Sequence, residues 1–338
     1  MSAELDFLEH FPRAGLLTTP TPLERLDALS RHFDLDLWIK RDDLTGLGFG
    51  GNKVRQLDFY MGAAQSEGAD VILITGAVQS NYVRTAAAAA ARLGMGSVLQ
   101  LERRVPDTDT IYETSGNILL NQILGAELMT YPEGEDEAGA DRALRVRAGE
   151  LKASGSTPYV IPLGLNNPPL GALGYMRAAQ EILAQRSGFD AVVVASGSGV
   201  THAGLLAGLR ACGANVPVHG ICVRRDATAQ RARLIEVGRR LSQLTEKEAF
   251  FGIDDIRTWD GSLAPGYGQI GERTREALHL MARKEGLFLD PVYTAKAFAG
   301  VRGLLENGQI KAGQKVLFVH TGGLPALFAY QTDLTQGE

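Results

Sequence analysis

Short unbroken runs of aliphatic and β-branched residues recur along the chain. Each is followed by a turn and then by apolar residues at helical spacing. The run 71–75 passes through the turn 76–81 into a helical pattern ending at Leu93. The run 191–195 passes through 196–199 into 201–210, and 316–320 passes through 321–323 into 325–330. Residues 287–290 read as a further strand before the turn 291–294 and a helix reaching Leu305. Residues 37–41, 96–101 and 219–223 have the same strand-like composition, and the alanine run 86–91 reads as helix interior. A run without polar alternation suits a strand covered on both faces, as in a parallel sheet between helix layers. The expected class is therefore α/β. Ligands of such sheets bind beyond the carboxyl ends of the strands, where all of these turns would lie.

Two polar, Gly/Pro/Asn-rich stretches, 46–52 and 162–174, interrupt the pattern. They suggest a smaller domain at 51–161 inserted into a larger one made of 1–50 and 162–338. Within the smaller part, the acidic, turn-rich segment 133–140 precedes a helical pattern to about residue 152 and a loop at 153–158.

Composition narrows the function classes. Lys+Arg 34 against Asp+Glu 39 gives a formal net charge of −5, which argues against the basic footprint of a dedicated nucleic-acid binder. Cys212 and Cys222 are too few for a disulfide framework and read as buried thiols of a reducing compartment. The first ten residues are acidic and lack the apolar core of a signal peptide. No apolar run reaches the ~18 residues of a membrane span. A cytoplasmic protein is expected. Glycine is the anomaly, at 40 of 338 residues against a usual ~7%. Clustered between apolar runs, these glycines point to loops that approach a small ligand closely.

Five turns carry candidate chemistry. Lys53 follows Gly48-Phe49-Gly50-Gly51-Asn52 and opens a segment with Val54, Leu57 and Met61 at helical spacing. A cation at a helix start is disfavoured by the helix dipole, which lowers an amine pKa and suits a nucleophile. A solvated loop lysine is the plainer alternative. Ser196-Gly197-Ser198-Gly199-Val200-Thr201 joins a strand to a helix and has the makings of a phosphate cradle. It lacks the lysine of a Walker loop, and a plain tight turn remains an alternative. Gln79-Ser80-Asn81-Tyr82 offers helix-capping residues at a strand end. Asp290-Pro291-Val292-Tyr293-Thr294 and His320-Thr321-Gly322-Gly323 occupy two further strand-to-helix turns, and Tyr267 lies in Pro265-Gly266-Tyr267-Gly268. His202 and His320 read as structural. No HExxH or CxxC spacing is present, so no metal site is expected.

Taken in order, these motifs resemble the fold-type-II pyridoxal-phosphate enzymes. In particular they resemble the branch containing D-cysteine desulfhydrase, L-cysteate sulfo-lyase and 1-aminocyclopropane-1-carboxylate deaminase. The likeness runs from about Pro12, through Thr21-Pro22-Leu23-Glu24, to Phe328-Ala329-Tyr330. It implies two three-layer α/β domains with mostly parallel sheets, as in the tryptophan synthase β subunit, and a cytoplasmic homodimer acting on a small amino acid, without nucleic-acid or membrane partners. It further implies that Lys53 forms an imine with the cofactor aldehyde and later takes the substrate Cα proton. Gly197, Ser198, Gly199, Val200 and Thr201 would hold the cofactor phosphate. Asn81 would bond its phenolic oxygen, Thr321 would approach its ring nitrogen, and Ser80, Tyr293 and Tyr267 would frame the substrate. Val200 departs from the family, where a glycine is expected directly before the threonine.

A neutral hydroxyl at the ring nitrogen favours expulsion of a group from Cβ over transamination. The implied reaction is β-elimination from a C3-substituted alanine, giving pyruvate and ammonia. Thr294 stands where the deaminase carries a glutamate, which disfavours cyclopropane opening. Tyr82 stands where the desulfhydrases carry a histidine, and Arg103 and Arg104 add basic groups after the next strand. Arginine binds oxyanions in a bidentate manner, so cysteate leads and D-cysteine is the alternative. Solvated surface arginines are the plainer reading of that pair.

Overall fold

The computed structural model describes residues 3–165 and 167–335. In chain order the strands are β1 (Leu23–Arg25), β2 (Asp36–Arg41), β3 (Val71–Ala77), β4 (Gly96–Glu102), β5 (Glu127–Tyr131), β6 (Pro158–Ile161), β7 (Ala191–Ser196), β8 (Val218–Cys222), β9 (Arg257–Trp259) and β10 (Lys315–His320). They form a six-stranded sheet in the order β1-β2-β10-β7-β8-β9 and a four-stranded sheet in the order β5-β4-β3-β6. Every pairing is parallel except β1 with β2. All four strands of the second sheet lie within 71–161.

Coverage on both faces explains the unbroken apolar runs. All seven residues of β3 are buried. In the larger sheet, Val193 and Phe318 pack with Phe298 on one side, while Val192, Val194 and Leu317 pack with Leu205 on the other. The strand expected at 287–290 is absent. β10 already lies between β2 and β7, so that segment has no central edge to join. It runs instead as an irregular chain with Leu289 buried, and the Phe288 carbonyl lies 3.0 Å from His320 Nε2. β1, β5, β6 and β9 carry no comparable sequence signal, being short or only partly buried.

The helix Asn52–Ser66 is seated by glycines and by buried charge. It packs on the helix Leu170–Gln185, which begins inside the stretch expected to be a crossing. A Cβ on Gly174 would lie 2.1 Å from the Arg55 carbonyl oxygen, and one on Gly171 would lie 2.9 Å from Gln56 Cβ. The Arg55 guanidinium donates to Asp42 Oδ1 at 2.8 Å and to Glu181 Oε1 at 2.9 Å. Tyr175 donates to Asp42 at 2.6 Å, and Lys40 bridges Glu181 and the Thr21 carbonyl. This network ties the segment beside Lys53 to the floor of the larger sheet.

Candidate active site

A cleft of about 820 Å³, its open mouth included, lies at the carboxyl ends of the strands between the two sheets. Lys53, Ser80, Asn81, Tyr267, Tyr293 and Thr321 all line it, as do Gly197, Ser198, Gly199 and Thr201. Lys53 stands in the first turn of its helix, after Gly51 at φ 110. Its Nζ donates to Gln56 Oε1 at 3.2 Å and lies 4.7 Å from the centre of the Tyr82 ring. Loss of hydration lowers the amine from 10.5 to about 8. Among the described residues, the wall carries no carboxylate to hold the charge.

The 197–201 turn fits an anion with three charged oxygens. It opens the helix Val200–Ala211, whose first amides have no partner within the helix. Gly199 takes φ 88, a conformation that favours glycine. Outside the turn, Arg225 donates to the Gly197 carbonyl at 3.2 Å and Arg233 to that of Ser198 at 2.8 Å. Thr201 Oγ1 accepts from Asn52 at 2.8 Å and from Gln56 at 2.7 Å. A hydroxyl has two acceptor sites and one donor, so its own proton is left for the cleft. Gln56 thereby joins Lys53 to the cradle. Val200 is the one residue of the expected cradle whose side chain does not line the cleft. Its side chain packs behind the turn against the cluster of Phe59, Leu173 and Leu241 and lines a neighbouring hollow.

Ser80 caps the helix Asn81–Arg92 by accepting from the Val83 amide at 3.3 Å. Asn81 is oriented from behind, because Asn117 donates to its Oδ1 at 3.0 Å. Gln79 holds Asn117 by accepting from its backbone amide at 2.9 Å. The Asn81 amide nitrogen then remains to donate. The sequence carried no signal for Asn117, which lies 36 residues away.

The Tyr267 and Tyr293 hydroxyls share a 2.6 Å hydrogen bond. Burial, followed by the neighbouring Tyr267, raises the Tyr293 phenol well above its usual value. Asp290 accepts from the amides of Val292, Tyr293 and Thr294, which fixes the Tyr293 turn. Thr294 bonds Asp290 and stays out of the cleft. On the other side, Lys296 donates to the Leu263 and Gly266 carbonyls and so anchors the Tyr267 loop. His320 Nδ1 accepts from the Gly322 amide, and the ring is structural, as is that of His202 beside Ser196.

The two adjacent arginines part company. Arg103 is 59% exposed and pairs loosely with Glu113. Arg104 is 6% exposed, lines the cleft and pairs with buried Glu102 at 2.6 Å. Arg224, which sequence reasoning passed over, also lines the cleft.

Comparisons with known proteins agree with this geometry. The pattern described as pyridoxal-phosphate dependent enzyme matches residues 15–322. A D-cysteine desulfhydrase of Yersinia enterocolitica is 43% identical over 326 residues, 96% of this chain and 97% of that one. One from Salmonella typhi is 42% identical over 330 residues, 96% and 98% of the two chains. Among solved structures, an ACC deaminase homologue superimposes with a TM-score of 0.88 at 37% identity, covering 99% of both chains. Among the described residues no helix is long and apolar enough to cross a membrane. With a cleft amine tied through Gln56 to an anion cradle, and with the family pattern spanning most of its length, the chain belongs to the pyridoxal-phosphate dependent enzymes, and pyridoxal phosphate is its cofactor.

Proposed function

We propose that this enzyme is a carbon–sulfur lyase that eliminates the Cβ substituent of a C3-sulfur-substituted alanine, with D-cysteine as the leading substrate. D-Cysteine would yield pyruvate, sulfide and ammonia. The observation that carries the reading is Lys53, a poorly hydrated amine in a cleft lined by no carboxylate among the described residues and linked through Gln56 to Thr201. Relatives at 42–43% identity that are named D-cysteine desulfhydrase support the choice of substrate.

When bound, the cofactor supplies an electron sink for the charge left at Cα. The residues do the rest. Thr201 and the 197–201 amides would hold the phosphate. The Asn81 amide nitrogen would donate to the phenolic oxygen, and Thr321 would lie near the ring nitrogen. Lys53 Nζ, nearly half neutral at pH 8, would accept the Cα proton. Ser80 and the adjacent helix start would receive the substrate carboxylate. The Tyr267–Tyr293 pair would deliver a proton to the departing sulfur or guide its exit.

L-Cysteate is the second reading, favoured by Arg104 in the cleft wall. A pyruvate assay with both enantiomers of cysteine and of cysteate tests both. Sulfide from D-cysteine supports the leading reading, and sulfite from L-cysteate alone replaces it with the second. No pyruvate from any of the four refutes the lyase.

A further inference from the structure

We infer that Lys296, which lies outside the cleft, is a positioning residue for the lyase. It holds the Tyr267 loop to the helix start that carries Tyr293, and so sets the two phenols against the substituent leaving Cβ. The inference rests on the lyase reading for its chemistry. It goes beyond that reading by giving a buried amine, remote from the cofactor cradle, a part in the reaction.

Tyr293 directly precedes the helix Thr294–Glu306, and Lys296 stands in the first turn of that helix. Positions three apart on a helix lie on one face. One rigid helix start therefore carries a phenol and, three positions on, the amine. Tyr267 arrives differently, on a stretch from 260 to 271 that contains neither helix nor strand. No ladder fixes this stretch, but hydrogen bonds to Lys296 do. Lys296 Nζ donates to the Leu263 carbonyl at 2.9 Å and to the Gly266 carbonyl, while Ser262 Oγ donates to the Lys296 carbonyl at 2.9 Å. Gly266 is the residue before Tyr267. From that anchored carbonyl the Tyr267 side chain reaches Tyr293, with the ring centres 6.0 Å apart and the hydroxyls at 2.6 Å.

The other phenol is fixed independently. Asp290 accepts from the Val292, Tyr293 and Thr294 amides. The same carboxylate favours the charge on Lys296. The two phenols are thus seated by a buried carboxylate and a buried amine that flank one helix start.

Packing alone does not select an amine at this position. Lys296 is fully buried and lies in a first helical turn, where the helix dipole disfavours a cation. Burial of such a group is costly unless its donors are bonded. A methionine would fill the same space without that cost. What the amine supplies is a fixed seat for Gly266 and hence for Tyr267.

The position matters for one bond. Lys53 Nζ takes the Cα proton, and the Cβ–S bond breaks with its electron pair on sulfur. A phenol proton passed to that sulfur releases hydrogen sulfide, and water returns a proton to the phenolate. Such a transfer requires the phenol to stand within hydrogen-bond reach of the sulfur. Chloride, the anion of a strong acid, leaves Cβ without a proton. A displaced Tyr267 should therefore slow loss of the thiol more than loss of chloride.

The test compares pyruvate formation from D-cysteine and from β-chloro-D-alanine by the holoenzyme. Lys296→Met should lower kcat on D-cysteine about tenfold or more beyond any fall on β-chloro-D-alanine, a part of the usual contribution of a general acid. Ser262→Ala, the milder change, should shift that ratio severalfold in the same direction, and it decides the question where Lys296→Met does not fold. Tyr267→Phe should shift the ratio as well, and adding Lys296→Met to it should shift it no further. Equal losses on the two substrates would make Lys296 merely structural and overturn the inference. A crystal structure of the Lys296→Met or Ser262→Ala enzyme should show the Tyr267 hydroxyl moved out of reach of Tyr293, and an unmoved Tyr267 overturns the inference too. Pyruvate from neither substrate in the unaltered enzyme ends the lyase reading instead, and the place of Tyr267 in the variant still decides the tether.

Discussion

A lysine in water holds its proton to about 10.5, whereas Lys53, enclosed by Gln56 and the Tyr82 ring, is held near 8 by loss of hydration. Only the neutral amine attacks an aldehyde. The rate at which apoenzyme regains visible absorbance on mixing with pyridoxal phosphate should therefore rise with pH and reach half its maximum near 8. A midpoint above 10 would show a hydrated lysine instead. The helix-start argument from sequence singled out Lys53, but burial is the cause of its shift. Gln56 links that amine to Thr201, so Gln56→Leu should weaken cofactor binding about tenfold, read by equilibrium titration of the apoenzyme. Unchanged affinity would mean that the link is incidental. Glycine-bounded turns made Lys53, Asn81 and the 197–201 loop readable from the chain. Asn117 and Arg224 were not readable, because Asn117 meets Asn81 across 36 residues of sequence and Arg224 reaches the cleft wall from the other sheet.

At the scale of elements, the helix Asn52–Ser66 is the part whose placement matters most, since it carries Lys53, Arg55 and Gln56. Arg55 balances Asp42 and Glu181 inside the protein. Removing only the cation strands buried carboxylates, so Arg55→Met should cost about 3–5 kcal/mol in denaturant unfolding. A loss below about 1 kcal/mol would mean that the network is solvated. Gly174→Ala forces a Cβ to 2.1 Å from the Arg55 carbonyl, a backbone atom that cannot swing aside. It should destabilise by about 1–3 kcal/mol and weaken cofactor binding by moving Lys53. Continuous apolar runs exposed β3, β4, β7, β8 and β10 to sequence reading. The same rule placed a strand at 287–290, where burial comes from core packing without a ladder.

Across the whole molecule, the acidic turn before Glu137 acts as a clasp. Glu137, at the start of a helix that packs on the smaller sheet, meets Arg224, Arg225 and Arg233, which follow β8 of the larger sheet. Burial alone would raise its pKa, but the three arginines outweigh that and hold it below the usual 4.5. A carboxylate with a depressed folded value contributes stability above 4.5, and the contribution fades as pH falls through the folded value. Glu137→Gln should thus lower the thermal midpoint at neutral pH and flatten its decline below pH 4.5. His202 and His219 act in the same direction, since burial lowers both from 6.5 to about 4. The unfolded chain binds their protons first, so stability should fall as pH drops from 6.5 to 4. A thermal midpoint flat across that window would contradict the buried, neutral assignment. Composition indicated an α/β protein with glycine-lined loops, but not that the acidic stretch joins two sheets.

The most direct test of the account is borohydride reduction of the holoenzyme followed by mass mapping of its peptides. Lys296 is the informative rival, because burial lowers it to about 8 as well, yet its amine is bound to two carbonyls outside the cleft. The account predicts a reduced pyridoxyl-phosphate adduct on Lys53 and none in Lys53→Ala. An adduct on Lys296 or any other lysine, with Lys53 unmodified, would contradict it.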